Sequence, residues 1–285
     1  MGGYSEPGKV VDGRFLISNL LGKGSMAEVY SAYDQTRHTD VAVKIIRHDL
    51  AKDDESSSRL HREVRALEMI AHPNVARLQG GGLTSCGASY LVMELLRGYS
   101  LRHMLRRRAR VPIKEAVDYC IQALKGLAAA HQVGVLHRDL KPANLMLESE
   151  ANGECRIVLI DFGFATLEGS ESLTMNGHVV GSLAYLAPER LRGEKAIEAS
   201  DLYSIGVILY ELVVGTRPFV AKSDLGLMNM HLDAEPVPPS KIAPDAKIPE
   251  AVEGVIMQAL AKDPSKRAKS AHHMANDLLY ALGQE

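Results

Sequence analysis

The feature of this sequence that most limits its fold is a change of hydrophobic rhythm a third of the way along. Up to Leu96, the runs Arg14 to Leu21, Ala27 to Tyr33, Asp40 to Arg47, Asn74 to Leu83 and Ser89 to Leu96 are short and rich in Val, Ile, Leu and Tyr. Bounded by turn residues, they read as strands of an antiparallel sheet. One amphipathic helix interrupts them: Leu60, Val64, Leu67 and Ala71 keep i, i+4, i+7 spacing behind a Ser run suited to cap it, and Pro73-Asn74 ends it. From Leu101 onward helical spacing takes over, in Ile113 to His131, Ser200 to Val214, Ser223 to Leu232, Ile248 to Ala261 and Ala271 to Leu282. Only Leu145 to Leu147 and Ile157 to Ile160 read as strands there. Strands and helices segregated in this way predict an α+β chain in two parts. The boundary falls near Leu95 to Ser100, where a ligand cleft is expected.

A chain of 285 residues is one large domain or two small ones closely joined. With 46% hydrophobic and 24% charged residues it is an ordinary globular sequence, which excludes a disordered tail, a collagen repeat and a disulfide-framed miniprotein. The formal charge of -2 gives no global basic excess to attract nucleic acid. Cys86, Cys120 and Cys155 are odd in number and widely spaced, which fits neither a disulfide framework nor a CxxC metal site and predicts a reducing, cytoplasmic setting. Met1 to Phe15 carries Glu6, Lys9, Asp12 and Arg14 where a signal peptide needs an apolar run. Ile205 to Val214, the longest apolar stretch, contains Gly206 and Glu211 and falls short of the ~18 residues of a membrane span. Gly2 suggests myristoylation, but Glu6 stands where that motif needs Ser or Thr.

Four short segments carry chemistry. Gly22-x-Gly24-x-x-Ala27-x-Val29 is a glycine loop whose bare backbone N–H groups can approach an anion. A dinucleotide fold would need a helix directly after it, whereas Glu28 to Tyr33 alternates like a strand, so the loop is the tip of a hairpin. Val41-Ala42-Val43-Lys44 sets a lysine at the end of a strand, and Glu63, beside the apolar face of the following helix, is placed to pair with it and aim its ammonium at phosphate. A solvated Lys44 and a Glu63 paired with Arg59 or Arg62 are the plain alternatives. Furthest along stand His137-Arg138-Asp139-Leu140-Lys141-Pro142-Ala143-Asn144 and Asp161-Phe162-Gly163.

These last two motifs, in this order, resemble the protein kinase family, and within it the eukaryotic-type Ser/Thr kinases that bacteria also carry. The resemblance runs from about Gly13 to Leu282 and includes Ala187-Pro188-Glu189, Asp201 with Ser204 and Gly206, and Arg267 as partner of Glu189. It implies an α+β, two-lobed kinase fold: an extension at 1–12, a small antiparallel-sheet lobe with one main helix at 13–96, and a larger helical lobe at 97–285. It implies Asp139 as acceptor of the substrate hydroxyl proton, with Lys141, Lys44 and Glu63 in the catalytic set. Asn144 and Asp161 become ligands of Mg²⁺, with Mn²⁺ as a substitute; hard oxygen donors suit either. ATP falls to Gly22, Gly24, Val29, Ala42, Lys44, Met93, Glu94, Leu96 and Leu145, several of which plain core packing would also explain. The implied activity is transfer of the γ-phosphoryl group to protein Ser or Thr. A pseudokinase scaffold and a small-molecule phosphotransferase are the alternatives; no catalytic residue is lost, and Ala187-Pro188-Glu189 is present.

Departures from the family pattern are few. Ala27 replaces the third glycine, Ser182 stands where Thr is usual, and Thr166 occupies a position often held by a cation that binds a loop phosphate. Autophosphorylation is expected at Thr174, Ser172, Ser170 or Thr166, with Arg138 and Arg59 as phosphate ligands and a homodimer as its vehicle. Basophilic relatives carry acids where this chain has Ser100 and Ala143; Glu211 alone remains of that set, so a strong preference for upstream Arg is not expected. The run Arg102 to Arg110 lacks interleaved aromatics and reads as a solvated helix face, and His272-His273 as surface.

Overall fold

The computed structural model describes residues 7–24, 27–46, 64–149, 153, 155–162 and 183–283. These fall into two compact units, one from residues up to 72 and from 76–97, the other from 73–75 and the described residues beyond 97.

The first unit is a six-stranded antiparallel sheet. Its strands are β1 (Val10–Val11), β2 (Phe15–Lys23), β3 (Ala27–Asp34), β4 (Thr39–Ile46), β5 (Leu78–Leu83) and β6 (Ser89–Glu94), in the order β1-β2-β3-β4-β6-β5. Side chains alternate across a strand, so Val41, Val43 and Ile45 of β4 enter the core with Tyr30, Ala32, Tyr90 and Val92, while Ala42 and Lys44 take the other face. Asp34, fully buried at the end of β3, accepts a two-pronged Arg14 bond (2.7 and 2.6 Å) and the N–H groups of Thr36 and Arg37, closing the β3–β4 turn. Arg14 and these donors hold its carboxyl at about 2. Of the expected helix before Pro73, the described part is residues 64–68 (α1), with Leu67 and Ile70 buried.

The second unit contains strands β7 (Gly98–Ser100), β8 (Leu145–Ser149) and β9 (Cys155–Leu159) and helices α2 (Leu101–Arg107), α3 (Ile113–Gln132), α4 (Pro188–Leu191), α5 (Glu198–Val214), α6 (Asp224–Asp233), α7 (Pro239–Ile242), α8 (Glu250–Ala259) and α9 (Ala271–Leu282). Helix α5 is buried from Ser200 to Val213 and runs between α3 and α8. Such a helix is apolar all round rather than along one stripe. Bare glycines set two close approaches: a Cβ at Gly126 of α3 would lie 2.7 Å from the Asn74 carbonyl, and one at Gly206 of α5 would lie 2.7 Å from Ala259 Cβ of α8.

Three features depart from the sequence reading. Strand β7 went unread, because three residues with Gly98 and Tyr99 exposed show no alternation. The run from Asn74 is a strand only from Leu78; Val75 instead makes a lone parallel bridge to Leu159 of the second unit, and Asn74 ties to β9 through Leu159 N–H (2.9 Å) and the Ile157 carbonyl (2.7 Å). Helices α4 and α7 have four residues each, too few to show a period.

Candidate active site

In the second unit, the segment His137 to Asn144 joins α3 to β8 and is held by a buried carboxylate. Asp201, in the first turn of α5, accepts the backbone N–H of His137 (2.9 Å) and Arg138 (3.0 Å) and a bond from His131 Nε2 (2.9 Å). Burial opposes its charge, but the hydrogen bonds it accepts from His131 and from the His137 backbone N–H bring its pKa below the usual value. Arg138 has φ of 67° and Asp161 φ of 58°, both in the left-handed region that side-chain-bearing residues rarely enter. For Arg138, the fixed N–H bond to Asp201 offsets part of that cost.

His137 is fully buried, and its Nε2 donates to the Ile160 carbonyl at 3.0 Å. Nδ1 is then the unprotonated nitrogen, and among the described residues it finds no hydrogen-bond partner. Burial lowers the pKa of this ring against the pull of Asp201, Asp139 and Asp161, keeping it neutral. Its face lies 4.6 Å from the Phe162 ring, so one uncharged imidazole joins the segment to the residues on either side of Asp161.

Asp139, Lys141 and Asn144 lie within hydrogen-bond reach of one another. Lys141 Nζ donates to Asp139 Oδ2 at 2.7 Å, and Asn144 Nδ2 donates to the Asp139 carbonyl at 2.8 Å and to Oδ2 at 3.2 Å. The carboxylate thus has a fixed orientation yet keeps 34% of its surface open, and Lys141 keeps 23%. With its amide nitrogen committed, Asn144 has carbonyl Oδ1 left to offer a cation, and its own backbone carbonyl accepts Ile160 N–H at 3.0 Å, beside Asp161. One amide oxygen and one carboxylate fit a divalent ion whose other ligands are phosphates and water. Leu145, buried, opens β8 directly after Asn144.

In the first unit the remaining residues fall into sheet rows. Gly22 pairs with Val29, Val29 with Lys44, and Lys44 with Leu91; Ala42 pairs with Ser31 and Met93. Residues directly opposite in adjacent strands share a face, so Gly22, Val29, Ala42, Lys44 and Met93 line the side away from the core. Gly24 N–H bonds to the Ala27 carbonyl at 2.9 Å, closing the hairpin. Glu94 ends β6, its backbone and carboxylate both bonded to Arg77, and Leu96 follows it. Glu63, Thr166, Ser170, Ser172, Thr174, Ser182 and Arg59 lie outside the described residues.

Glu189 and Arg267 form the expected pair at 2.8 Å through both prongs, nearly without exposure. Ser200 Oγ donates to Glu189, and the Ala199, Ala261 and Lys262 carbonyls accept from Arg267. Asp201 and His131 carry no mark of this role in the sequence, because nothing in their spacing reveals that α3 and α5 converge on one loop. The basic run is a solvated face only in part. Arg106 and Arg107 are exposed, whereas Arg102 turns in to Glu211 and Tyr185. His272 and His273 are exposed.

Among known families, the one described as protein kinase domain matches residues 15–279. The serine/threonine-protein kinase pkn3 of Myxococcus xanthus is 36% identical over 95% of this chain and 50% of its own length. PrkC of Bacillus subtilis is 36% identical over 96% of this chain and 41% of its own length. PknB of Mycobacterium leprae is 35% identical over 93% and 42%. The chain therefore spans half or less of the length of these relatives. Of solved structures, a double mutant of the Mycobacterium tuberculosis PknI kinase domain superposes with a TM-score of 0.77 at 26% identity, covering 97% of this chain and 98% of that one. Rad53 residues 1-466 in complex with AMP-PNP gives 0.77 at 27% identity, covering 94% and 66%.

Proposed function

Because this chain belongs to the protein kinase domain family, we propose that it is a Ser/Thr protein kinase, transferring the γ-phosphoryl group of ATP to hydroxyls of protein substrates. The observation that carries this reading is Asp139, a partly exposed carboxylate held in one orientation by Lys141 and Asn144. Such a group takes the hydroxyl proton while the Ser or Thr oxygen bonds to the γ-phosphorus and the bond to the β-phosphate oxygen breaks, releasing ADP. Lys141, 2.7 Å from the carboxylate, supplies positive charge beside the transferring group.

We assign the ATP phosphates to Lys44 and the hairpin of Gly22, Gly24 and Val29, with Glu63 as the partner the family resemblance implies for Lys44. The family resemblance assigns the adenine to Ala42, Met93, Glu94 and Leu96 of the first unit and to Leu145 of the second. AMP-PNP bound to Rad53 supports an adenine nucleotide as ligand. The family implies a divalent metal; we assign Mg²⁺, replaceable by Mn²⁺, to Asn144 Oδ1 and Asp161, where it would neutralise phosphate charge. Autophosphorylation at Thr174, Ser172, Ser170 or Thr166, with a homodimer as its vehicle, belongs to the same proposal. So does a cytoplasmic location, in keeping with three free cysteines. Among the described residues no helix is long and apolar enough to cross a membrane.

The test is transfer from radiolabelled ATP to a generic protein substrate, with Mg²⁺ and with Mn²⁺, by the wild type and Asp139→Asn. Metal-dependent labelling that falls about 10²–10⁴-fold in the variant is expected. A wild type that binds nucleotide and labels nothing sinks the enzyme reading in favour of a scaffold.

A further inference from the structure

Helix α2 begins at Ser100, whose hydroxyl caps His103 N–H at 3.3 Å, and it packs on the turn Pro142–Asn144 that directly follows Asp139 and Lys141. From its first turn Arg102 reaches a closed cluster. Nη1 donates to Glu211 Oε1 at 3.2 Å and Nη2 donates to Tyr185 Oη, while Tyr185 Oη donates to Glu211 Oε2 at 2.5 Å. The guanidinium also sits 5.8 Å from the Tyr185 ring centroid. Tyr185 is fixed in turn, its carbonyl accepting from Ser204 Oγ at 2.8 Å. The Glu211 side chain is 8% exposed and that of Arg102 is 33%, so the guanidinium closes over the carboxylate from the solvent side.

A buried carboxylate linked through Arg102 of α2 to the turn that follows Asp139 and Lys141 is what a basic side chain of an acceptor peptide would seek. Here both carboxylate oxygens are already bonded, one by a guanidinium that belongs to the chain. A peptide arginine would have to displace Arg102, exchanging one charge-assisted bond for another with no net gain. We infer that Arg102 is a specificity-determining residue, the internal occupant of the Glu211 carboxylate, and that it turns this chain away from acceptors with basic residues near the target hydroxyl. This deepens the kinase reading and rests on it.

The experiment measures binding and transfer separately. Labelled Ser peptides, one with neutral flanks and a set with a single Arg scanned upstream of the Ser, are titrated by fluorescence anisotropy against the wild type, Arg102→Met and Arg102→Met with Glu211→Gln. Met keeps an apolar stem on the Tyr185 ring; Arg102→Gln is the second variant if Met melts early. The wild type should treat neutral and Arg peptides alike. Arg102→Met should favour at least one Arg peptide by about tenfold, the value of one charge-assisted hydrogen bond, and the double variant should lose that preference. A folded Arg102→Met or Arg102→Gln with no gained preference, or a wild type that already selects Arg, overturns the inference. Radiolabel transfer to the same peptides tests the kinase reading apart from it, since anisotropy decides the Arg102 question whether or not transfer occurs.

Discussion

At the scale of single residues, the site depends on groups that never meet substrate. Asp201 neutralises two backbone N–H donors that would otherwise be buried without partners, and each such orphan costs about 1–3 kcal/mol. Asp201→Ala should therefore lower stability by a few kcal/mol and, because Arg138 then loses the bond that holds its left-handed backbone, reduce transfer by more than the unfolded fraction explains. Thermal melting beside kcat at a temperature where the variant is folded checks this; a variant as active per folded molecule as the wild type would show that Asp201 only stabilises. Asp139 and its neighbours were legible in the sequence because their chemistry is written in consecutive residues. Asp201 lies more than sixty positions away, and its role exists only once α5 packs on α3.

Among elements, close packing is fixed by glycines and by one buried ion pair. A Cβ at Gly98 would fall 2.0 Å from the Leu147 carbonyl, so β7 can pair with β8 only when that atom is absent. Gly98→Ala should cost about 1–3 kcal/mol through forced separation of backbone, read from urea unfolding; a cost near zero would mean the strands part freely. Glu189 joins α4 to Arg267 beyond α8, and Arg267 also stacks 5.0 Å from the Tyr203 ring centroid. Removing one partner strands the other charge in the interior, so Arg267→Met should destabilise by about 3–5 kcal/mol. Combining it with Glu189→Gln should cost less than the sum of the singles. Strictly additive costs would deny the pair its coupling.

For the whole molecule, the buried histidines set the response to acid. Burial, with Lys262 and Arg217 adding repulsion, pushes His231 down to about 3, and burial also lowers His137. Below the unfolded value near 6.5 the unfolded chain takes up protons that these folded rings refuse, so stability falls as pH drops from about 6.5, by about 1.4 kcal/mol per pH unit for each ring. For His231 that loss runs on to about pH 3. Glu189 and Asp201 act in a lower window. Their folded pKa values are depressed, so their contribution is full above the unfolded values and is lost as pH falls through the folded ones. His231→Gln should flatten the curve of unfolding free energy between pH 6.5 and 4.5 by about 1.4 kcal/mol per unit. Parallel curves for variant and wild type would remove His231 from the account.

The segregation of sheet from helices and the hairpin at Gly22 and Gly24 were readable from the sequence alone, whereas Asp139, Lys141 and Asn144 stood out through the resemblance of their motif to a known family. Those signals are local: a period of two or of 3.6, turn chemistry, and reactive residues within reach along one loop. Tertiary structure alone decided that Asp201 anchors that loop, that His137 stays neutral, and that Arg102 of an apparently solvated basic run closes on Glu211 instead. Each of these follows from burial and from partners dozens of residues apart. Neither hydrophobic rhythm nor motif spacing carries that information, because the energy of a buried charge is set by the atoms that surround it after folding.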